Sequence, residues 1–486
     1  MHPQLIVLFL ATLFSVFGSS AAASAADWRS RSIYQIVTDR FSRSDGSYTS
    51  PCDTNARQYC GGTWRGIINK LDYIQNMGFT AIWISPIIKQ LPNNTYEGEP
   101  YHGYWPENLY ALNSNFGTEQ DLIDLITACH SRGMYLMLDI VINHFASMGE
   151  TPNYEAFVPF SHERFFHPPC PIDWGNQTSI ENCWMGDGFV SLPDINTEDP
   201  VVVDTWKKYL VSLVDKYKID GLRLDACRNI PKSVSGEISR AANVYSQGEV
   251  WDRDPNIICP YQEYMDGMHN YPFKELATDA FVSSTGNLTD FVTVVHQMQA
   301  QCKDVTLFGT FMENHDNPRL GSFTTDIARL KSLAVLNILT DGIPVVYYGQ
   351  ELALTGSNDP MNREALWLTG YSTNNTLVPT FTALNAFRNF LVMSGVQFIT
   401  TLATYTVVSS SVIRVQKGNV VIVLTNSGKD VVTNTVVDGF GEGMELVEVL
   451  TCGVLQADDA GRVQISLTGD PMVLYPKSLM TRSRIC

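Results

Sequence analysis

The sequence has few basic residues and no long apolar run in its interior. Lysine and arginine together number 33 against 50 aspartates and glutamates, which gives a formal net charge of -17. Because such a surface repels phosphate groups, the composition argues against nucleic acid or an anionic membrane as a partner. No stretch beyond the amino-terminal region is apolar enough to cross a bilayer, and the carboxyl end lacks the apolar tail of a lipid-anchor signal. Internal repeats and low-complexity tracts are also lacking.

The amino-terminal segment predicts export. Residues 5–17 form a short apolar run, and the small residues Ala23, Ser24 and Ala25 follow as a cleavage pattern, although no Lys or Arg precedes the run. We therefore expect residues 1–25 to be a signal peptide and the mature protein to be extracellular. Four glycosylation sequons fit this destination. They begin at Asn93, Asn176, Asn287 and Asn374.

Ten cysteines also fit an oxidising destination. Two pairs that bracket short loops and two longer closures are the candidate disulfides, although spacing alone does not fix the connectivity. The candidate pairs are Cys52 with Cys60, Cys170 with Cys183, Cys259 with Cys302, and Cys452 with Cys486. Cys129 and Cys227 lie in apolar segments, and we expect them to be buried thiols.

Short apolar runs alternate with helical patterns for roughly 370 residues after the signal. Eight such runs separated by helices predict an α/β fold, specifically a (β/α)8 TIM barrel. The predicted strands are 33–37, 81–84, 134–141, 221–224, 244–250, 264–268, 306–312 and 343–348. Segment 119–131 illustrates the helical spacing, with apolar residues at Leu122, Ile123, Leu125, Ile126 and Cys129.

Two segments depart from this alternation. Residues 143–191 are rich in Pro, Gly, Asn and aromatic residues without periodicity, which is typical of an inserted loop-rich subdomain after the third strand. From residue 396 the pattern changes to β-branched alternation, which predicts a C-terminal antiparallel β-sandwich domain. Its expected strands are 404–415, 420–424, 431–437 and 444–450. The predicted barrel is then divided into 26–142 and 192–395, and the last domain covers 396–486.

Polar side chains follow four of the predicted barrel strands. In such barrels the catalytic groups lie at the carboxyl ends of the strands. A lone Asp after a strand is most often a helix cap, but repeated examples at corresponding positions favour a shared site. These positions are Asp139 at the end of the third strand with Asn143 and His144 just beyond it, Arg223 and Asp225 at the end of the fourth, Glu249 at the end of the fifth, and Glu313, Asn314, His315 and Asp316 at the end of the seventh.

The segments around these positions resemble the signature regions of the α-amylase family, glycoside hydrolase family 13, in the family's order. They are 138–144 (LDIVINH), 221–225 (GLRLD), 248–250 (GEV) and 311–316 (FMENHD), with 192–194 (LPD) as a fifth. Segments 101–105 (YHGYW) and 358–363 (NDPMNR) resemble further substrate segments of fungal members. The resemblance covers essentially the whole mature chain, including all four cysteine pairs. It implies an endo-acting hydrolase that cleaves internal α-1,4 bonds of starch, glycogen or maltooligosaccharides, and a monomer.

The resemblance implies three catalytic carboxyl groups. Retaining glycosidases need two carboxyls about 5–5.5 Å apart, one that attacks the anomeric carbon and one that protonates the leaving oxygen. By resemblance these are the nucleophile Asp225 and the acid/base Glu249, and Asp316 stabilises the transition state. Arg223 lies on the same strand face and can hold the charge of Asp225. Glu249 should have a raised pKa because of burial and nearby negative charge.

The resemblance also implies a set of sugar contacts. Asp359, Arg363 and His102 would bind the neighbouring glucose on the non-reducing side. Further contacts would be made by His144 and His315, which bind the glucose at the cleavage point, and by Tyr104, which stacks on it with Trp105 as an extension.

Calcium is the implied cofactor. A hard cation takes six to eight oxygen ligands, including carboxylates and carbonyls. By resemblance these come from the Asn143 side chain, Glu181, Asp194 and the backbone carbonyl of Asn229. Such a site would join residues 143–191 to the barrel.

One position departs from the family pattern. Arg228 and Asn229 stand where the family has a Lys-His pair that contacts glucose on the leaving-group side. Because Arg is planar and multidentate and Asn does not titrate, binding of the acceptor is expected to differ. A 4-α-glucanotransferase acting on maltooligosaccharides or cell-wall α-glucan is therefore the alternative function. A non-catalytic glucan-binding barrel and a starch-binding C-terminal domain are two further alternatives. The intact carboxyl set speaks against the first, and the lack of a dedicated aromatic platform against the second.

Overall fold

Eight parallel strands form the central barrel of the protein. In the computed structural model they are β1 Ile33–Ile36, β2 Ala81–Ile84, β3 Tyr135–Ile140, β4 Gly221–Leu224, β5 Tyr245–Gly248, β6 Gly267–Met268, β7 Gly309–Thr310 and β8 Ile343–Tyr347. Each strand pairs with its neighbours in the order of the chain, β8 pairs with β1, and a bridge between His269 and Gly309 joins β6 to β7. The predicted barrel is confirmed.

The structure describes residues 23–92, 94–374, 377–480, 483 and 485–486. Residues 1–22 of the predicted signal peptide and the sequon asparagine Asn93 lie outside this range. Ser24 caps the short helix Ala25–Arg29, and Ala23 is buried against the barrel.

β6 and β7 are shorter than the apolar runs that predicted them. Ahead of β7, residues Val305–Leu307 form a 3-10 helix instead of extending the strand. Within β7, a Cβ atom at Gly309 would overlap the side-chain amide of Gln247. The interior space next to β7 is therefore filled by a polar side chain from β5. Only glycine allows this approach.

Helices surround the barrel strands, as the alternation predicted. Besides Ala25–Arg29, those of five or more residues are Trp64–Ile68, Leu71–Asn76, Glu119–Ser131, Gln177–Asn182, Pro200–Tyr217, Lys232–Ala242, Tyr271–Phe281, Leu288–Gln301, Ile327–Leu339 and Leu377–Ser394; those of four residues are Thr38–Phe41, Pro255–Ile258, Leu320–Phe323, Gln397–Thr400 and Lys477–Met480. The predicted helix at 119–131 is confirmed, and Thr118 caps it through a reciprocal bond with Asp121. Of its apolar residues, Ile123 lies beside the buried stripe and is 38% exposed.

Two additions to the barrel shape its upper face. An unpredicted antiparallel hairpin, Ile88–Gln90 with Pro106–Leu112, follows β2. A small sheet is built from Ser147–Met148, Met185–Gly186 and Val190–Leu192, so it extends one residue past the segment 143–191. Both additions lie on the connections that leave carboxyl ends of strands, where a TIM barrel places its site.

The C-terminal part is antiparallel, as predicted. Its strands are β9 Thr404–Ser409, β10 Val412–Lys417, β11 Val420–Thr425, β12 Thr433–Val437, β13 Glu445–Glu448, β14 Val454–Gln456, β15 Val463–Leu467 and β16 Met472–Pro476. Six of them form one sheet, and β12 pairs with β15 in a second sheet. The single strand expected at 404–415 was wrong, because a hairpin turn at Ser410 and Ser411 divides it. The turn contains no Gly or Pro, and its serines fit the polar alternation. The sequence pattern therefore does not mark it.

All four candidate disulfides are present, and Cys129 and Cys227 are buried thiols as predicted. Each pair closes a loop, and this stabilises the native state by restricting the unfolded chain. No helix in the described part of the chain has both the length and the apolar character needed to cross a membrane.

A buried ion pair joins the barrel to the C-terminal sheet. The ammonium of Lys417 lies 2.6 Å from Asp341 Oδ1 and donates to the carbonyl of Thr340 at 3.1 Å. Asp341 also accepts hydrogen bonds from the Ala403 amide and the Gln299 side chain. Both charges are nearly inaccessible to water, so each depends on the other for compensation.

We expect Lys417→Met to lower the free energy of unfolding by about 3–5 kcal/mol, because it leaves the Asp341 carboxylate buried without a cation. Chemical denaturation measures the change. Lys477→Met is the matched control, since its partner Glu445 is half exposed and such surface pairs contribute about 0–1 kcal/mol. Equal effects of the two substitutions would contradict this role of the pair.

Candidate active site

One guanidinium gathers three carboxylates at the carboxyl ends of neighbouring barrel strands. Arg223, in β4, donates through Nη1 to Asp139 Oδ1 at 2.9 Å and to Asp225 Oδ1 at 2.7 Å. Its Nη2 lies 2.7 Å from Glu249 Oε2. Because β3, β4 and β5 are adjacent and in register, the three carboxylates meet where the strands end.

Asp139 is the deepest of these carboxylates. It accepts a hydrogen bond from the Tyr104 hydroxyl at 2.7 Å and another from Trp83 Nε1 at 3.1 Å. Burial raises the pKa of Asp139 to about 7, although the positive charge of Arg223 opposes this. Asp139 therefore anchors both Arg223 and Tyr104 from below.

Glu249 is held by three donors. Besides Arg223, the Ala226 amide donates to Oε2 at 3.1 Å and the Tyr271 hydroxyl to Oε1 at 3.1 Å. Burial raises the pKa of Glu249, Arg223 opposes this, and the negative charges of Asp225 and Asp316 add to the rise. The pKa of Asp225 is also raised by burial, and there Arg223 and a hydrogen bond to Glu249 act in the opposite direction. The predicted rise in the pKa of Glu249 is confirmed.

Asp316 belongs to a second group of charges on the other side of the cleft. Its Oδ2 lies 3.1 Å from His315 Nε2, and its Oδ1 lies 3.4 Å from Arg363 Nη2. The Gln35 amide donates to His315 Nδ1 at 2.8 Å, which assigns the ring proton to Nε2. Arg363 also lies 2.9 Å from Asp359. Burial raises the pKa of Asp316, and the cations Arg363 and Arg223 oppose the rise.

Aromatic rings line the cleft beside these charges. The Tyr104 and His315 rings are stacked with centroids 4.9 Å apart. His102 continues the stack on Tyr104, but Trp105 stands perpendicular to His102 and so does not extend the Tyr104 plane as expected. His144 Nε2 donates to the Tyr104 carbonyl at 3.1 Å, and this bond holds the backbone that carries the Tyr104 ring.

The cleft has a volume of about 710 Å³. It contains twelve of the predicted residues, namely His102, Tyr104, Trp105, His144, Asp225, Arg228, Asn229, Glu249, His315, Asp316, Asp359 and Arg363. Arg223 lies buried beneath it. Sequence reasoning missed other lining residues; the charged and aromatic ones are Arg57, Glu97, Trp174, Asp187 and Trp251. Of these, only Trp251 could have been found from the sequence, because it follows Glu249 by two residues. The others lie in loops without periodicity.

The departure at Arg228 and Asn229 has a clear geometry. Arg228 Nη1 lies 2.9 Å from Asp252, and Trp251 stacks on Tyr271 with its outer face exposed. Asn229 donates from its side chain to the Ile180 carbonyl at 3.1 Å. These contacts tie the connection after β4 to the helix Gln177–Asn182 of residues 143–191.

The predicted calcium ligands fall into two neighbouring pairs, Asn143 with Asp194 and Glu181 with Asn229. Asp194 and Asn143 are buried, and their strand-like segments are joined by the Ile195 amide donating to the Asn143 carbonyl. Asp194 Oδ2 lies 2.6 Å from His167 Nδ1, but Oδ1 is buried with no partner among the described residues. Glu181 belongs to the helix that contacts Asn229.

This donor set fits a hard cation. A buried carboxylate oxygen without a hydrogen-bond donor is the group that a cation would compensate, and amide and carbonyl oxygens are nearby. Within the described ranges, no group of three or more His, Cys, Asp or Glu side chains is placed to hold a metal. The predicted set contains only two carboxylates, so its remaining ligands would be oxygens of asparagine side chain and backbone.

A parallel (β/α)8 barrel with carboxylates from several strand ends around one sugar-sized cleft defines the class of barrel glycosidases. The family described as "Alpha amylase, catalytic domain" matches residues 35–378, and "Alpha-amylase, domain C" matches 405–486. The chain belongs to the α-amylase family and is a glycoside hydrolase.

The similarity to known proteins extends along almost the whole chain. Alpha-amylase 2 of Schwanniomyces occidentalis is 44% identical over 96% of this chain and 94% of its own length. The α-amylase of Saccharomycopsis fibuligera is 41% identical over 93% and 92%. The solved structure of an α-amylase from Malbranchea cinnamomea superimposes with a TM-score of 0.93 at 44% identity, covering 95% of this chain and 99% of that one.

Removal of the central cation should make stability depend strongly on pH. Without Arg223, the pKa values of the buried carboxyls Asp139, Asp225 and Glu249 rise further in the folded state. A group whose folded pKa is raised loses its stabilising contribution as the pH increases through that pKa. We therefore expect Arg223→Met to cost about 3–5 kcal/mol of unfolding free energy near neutral pH and less at acidic pH, measured by denaturation at several pH values. Arg253→Met, whose ion pair with Asp279 is exposed, is the control; a loss independent of pH would contradict the expectation.

Proposed function

We propose that this protein is a secreted, endo-acting α-amylase that hydrolyses internal α-1,4-glucosidic bonds of starch-like glucans with retention of configuration. The observation that carries the proposal is the pairing of Asp225 and Glu249 with one Arg223 guanidinium at the floor of the cleft. A shared cation places the two carboxyls side by side, as double displacement needs.

In the first step Asp225 attacks the anomeric carbon of the glucose at the cleavage point. The bond from C1 to the glycosidic oxygen breaks, and Glu249 gives its proton to that oxygen. The reaction needs Asp225 ionised and Glu249 protonated. Burial raises the pKa of both carboxyls and Arg223 opposes both rises, while the negative charges of Asp225 and Asp316 add to the rise at Glu249 and so favour the proton there. In the second step Glu249 takes a proton from water, which attacks C1 and releases Asp225.

Asp316 is proposed to stabilise the positive charge that develops on the sugar. His315 and Arg363 hold its carboxylate at the cleft wall, so its orientation is set before substrate arrives. Tyr104 would stack on the same glucose, and His144 and His315 would also contact it. The remaining predicted contacts divide by side. His102, Asp359 and Arg363 would bind glucose on the non-reducing side, and Arg228 on the leaving-group side.

Calcium is proposed as the structural cofactor. Asn143, Glu181, Asp194 and the carbonyl of Asn229 would hold it, and calcium would supply positive charge that joins residues 143–191 to the barrel. The unsatisfied Asp194 oxygen supports this assignment. The residues of this region already form one wall of the cleft, so the ion would fix the shape of the wall.

The same proposal includes secretion, glycosylation at the sequons and a monomeric state. Its domain boundaries are 1–25, 26–142, 143–191, 192–395 and 396–486. Four disulfides support an extracellular destination. No observation favours the 4-α-glucanotransferase alternative over hydrolysis.

Substitution of the proposed nucleophile tests the reaction. We expect Asp225→Asn and Glu249→Gln each to lower kcat on maltoheptaose by at least about a thousandfold, because each removes a group that reacts in the transition state. Asp215→Asn, an exposed carboxylate on the helix Pro200–Tyr217, is the control. The wild-type products should be α-anomers shorter than the substrate. β-Anomeric first products would refute the retaining mechanism, and predominantly longer products would favour transfer.

Calcium binding is tested by stability. If calcium binds only the folded state, a concentration one hundred times the Kd stabilises it by about 2.7 kcal/mol. We expect a chelator to lower the Tm of the wild-type protein, with recovery on added calcium but not magnesium. Asp194→Asn should remove most of this response, whereas Asp215→Asn should keep it. A wild-type Tm that is insensitive to chelation would count against the site.

A further inference from the structure

Two exposed aromatic side chains touch each other at the rim of the cleft. Tyr96 and Phe189 stack with ring centroids 4.5 Å apart and planes inclined by 24°. They come from different parts of the chain, the connection after β2 and the small sheet of residues 143–191. Tyr96 is 82% exposed and Phe189 is 52% exposed, so the contact leaves most of the aromatic surface open to solvent.

Each ring is presented by a tight turn. Around Tyr96, the amides of Thr95 and Gly98 bond to each other's carbonyls, and the Thr95 hydroxyl accepts from the Glu97 amide. Gly98 has a φ of +97°, and a Cβ atom there would overlap the Arg57 carbonyl. The turn is therefore fixed against the segment that carries Arg57.

The turn that carries Phe189 is fixed in a similar way. Asp187 Oδ1 accepts from the amides of Phe189 and Val190 at 2.8 and 2.9 Å, and the Phe189 carbonyl accepts from Gly149. Beneath the stacked pair, Val190 packs with Leu91 in a small apolar cluster. Both rings are thus oriented by the backbone, and ligand binding would cost little ordering entropy.

The neighbours of the pair line the cleft. Glu97 and Asp187, each next to or near one of the rings in sequence, are both lining residues, and Arg57 forms an ion pair with Glu97 at the same wall. These groups offer hydrogen-bond donors and acceptors beside an apolar face. That combination suits a glucose ring, which has hydroxyls at its edge and C–H groups on its faces.

The position along the cleft follows from the contacts of Arg40. Its guanidinium donates to the carbonyl of Gln58, which adjoins Arg57, and to the carbonyl of Arg363. Arg363 with Asp359 is the proposed site for the second glucose on the non-reducing side. The cleft wall formed by Arg57 and Glu97, which adjoins Tyr96, is therefore tied to the side of the cleft that holds Arg363.

We propose that Tyr96 and Phe189, with Arg57, Glu97 and Asp187, form an outer glucose-binding subsite on the non-reducing side of the cleft. It rests on the proposed function and would take the third or a more distant glucose of an α-1,4-glucan. The exposed ring faces would stack on the sugar, and the charged side chains would bond to its hydroxyls. Long chains would then gain affinity that short chains cannot.

Chain-length dependence tests the subsite. A trisaccharide that straddles the cleavage point has at most two glucose units on the non-reducing side, so it cannot reach the outer site. We expect Tyr96→Ala and Phe189→Ala to lower the ratio of kcat/KM for maltoheptaose to kcat/KM for maltotriose by about three- to tenfold, the loss typical of one aromatic contact. Tyr96→Phe keeps the ring and should keep most of the ratio. Tyr110→Ala, an exposed tyrosine that does not line the cleft, is the matched control.

The cleavage pattern gives a second readout. With maltoheptaose labelled at its reducing end, loss of the subsite should shift cleavage towards the non-reducing end, because binding modes with three or more glucose units on that side lose affinity. If the stacked pair only holds residues 143–191 in place, both variants would lower the Tm and reduce kcat/KM for both substrates by the same factor, which would overturn the subsite. An unchanged ratio in the variants of an active enzyme would also overturn it, without touching the proposed function. A wild-type protein inactive on both substrates would overturn the proposed function and the subsite together.

Discussion

The site depends on one buried cation. Arg223 bonds to Asp139, Asp225 and Glu249, and each of these would carry an uncompensated charge without it. Burial alone raises the pKa of all three carboxyls, so the guanidinium decides how many of them ionise near neutral pH. A lysine would not replace it, because a compact ammonium cannot present a planar fork to three partners. The barrel makes this arrangement possible by bringing the ends of three adjacent strands together.

The long connections convert this charged floor into a cleft. The hairpin after β2 supplies Tyr104, whose hydroxyl bonds to Asp139 and whose ring stacks on His315. Residues 143–191 supply the opposite wall. They are held to the connection after β4 by the Asn229 side chain and by the proposed cation site around Asp194. The same segments also present the rings of Tyr96 and Phe189, so the charged floor and the outer rim share their supports. Loops on a rigid barrel thus set substrate range, while the strand ends set chemistry.

Much of this could be predicted from the sequence. The eight apolar runs and their helical partners define the barrel because the periods of strand and helix differ. The chemistry-bearing residues could be placed for the same reason: a polar residue directly after a buried strand must lie at the strand's carboxyl end. Glu249 and Asp225 are such cases, and the resemblance to the α-amylase family assigned their roles. The cysteine pairs needed that resemblance too, since spacing left several connectivities open.

What the sequence determined by itself was therefore local: which segments are strands, which are helices, and which polar residues terminate them. Tertiary structure alone decided the contacts between segments far apart in the chain. The perpendicular placement of Trp105, the hydroxyl of Tyr271 on Glu249, the Lys417–Asp341 pair and the stacking of Tyr96 on Phe189 are of this kind. None of them leaves a periodic signal, because their partners lie on loops or in separate domains. Their geometry is fixed only when the barrel, residues 143–191 and the C-terminal sheet pack against one another.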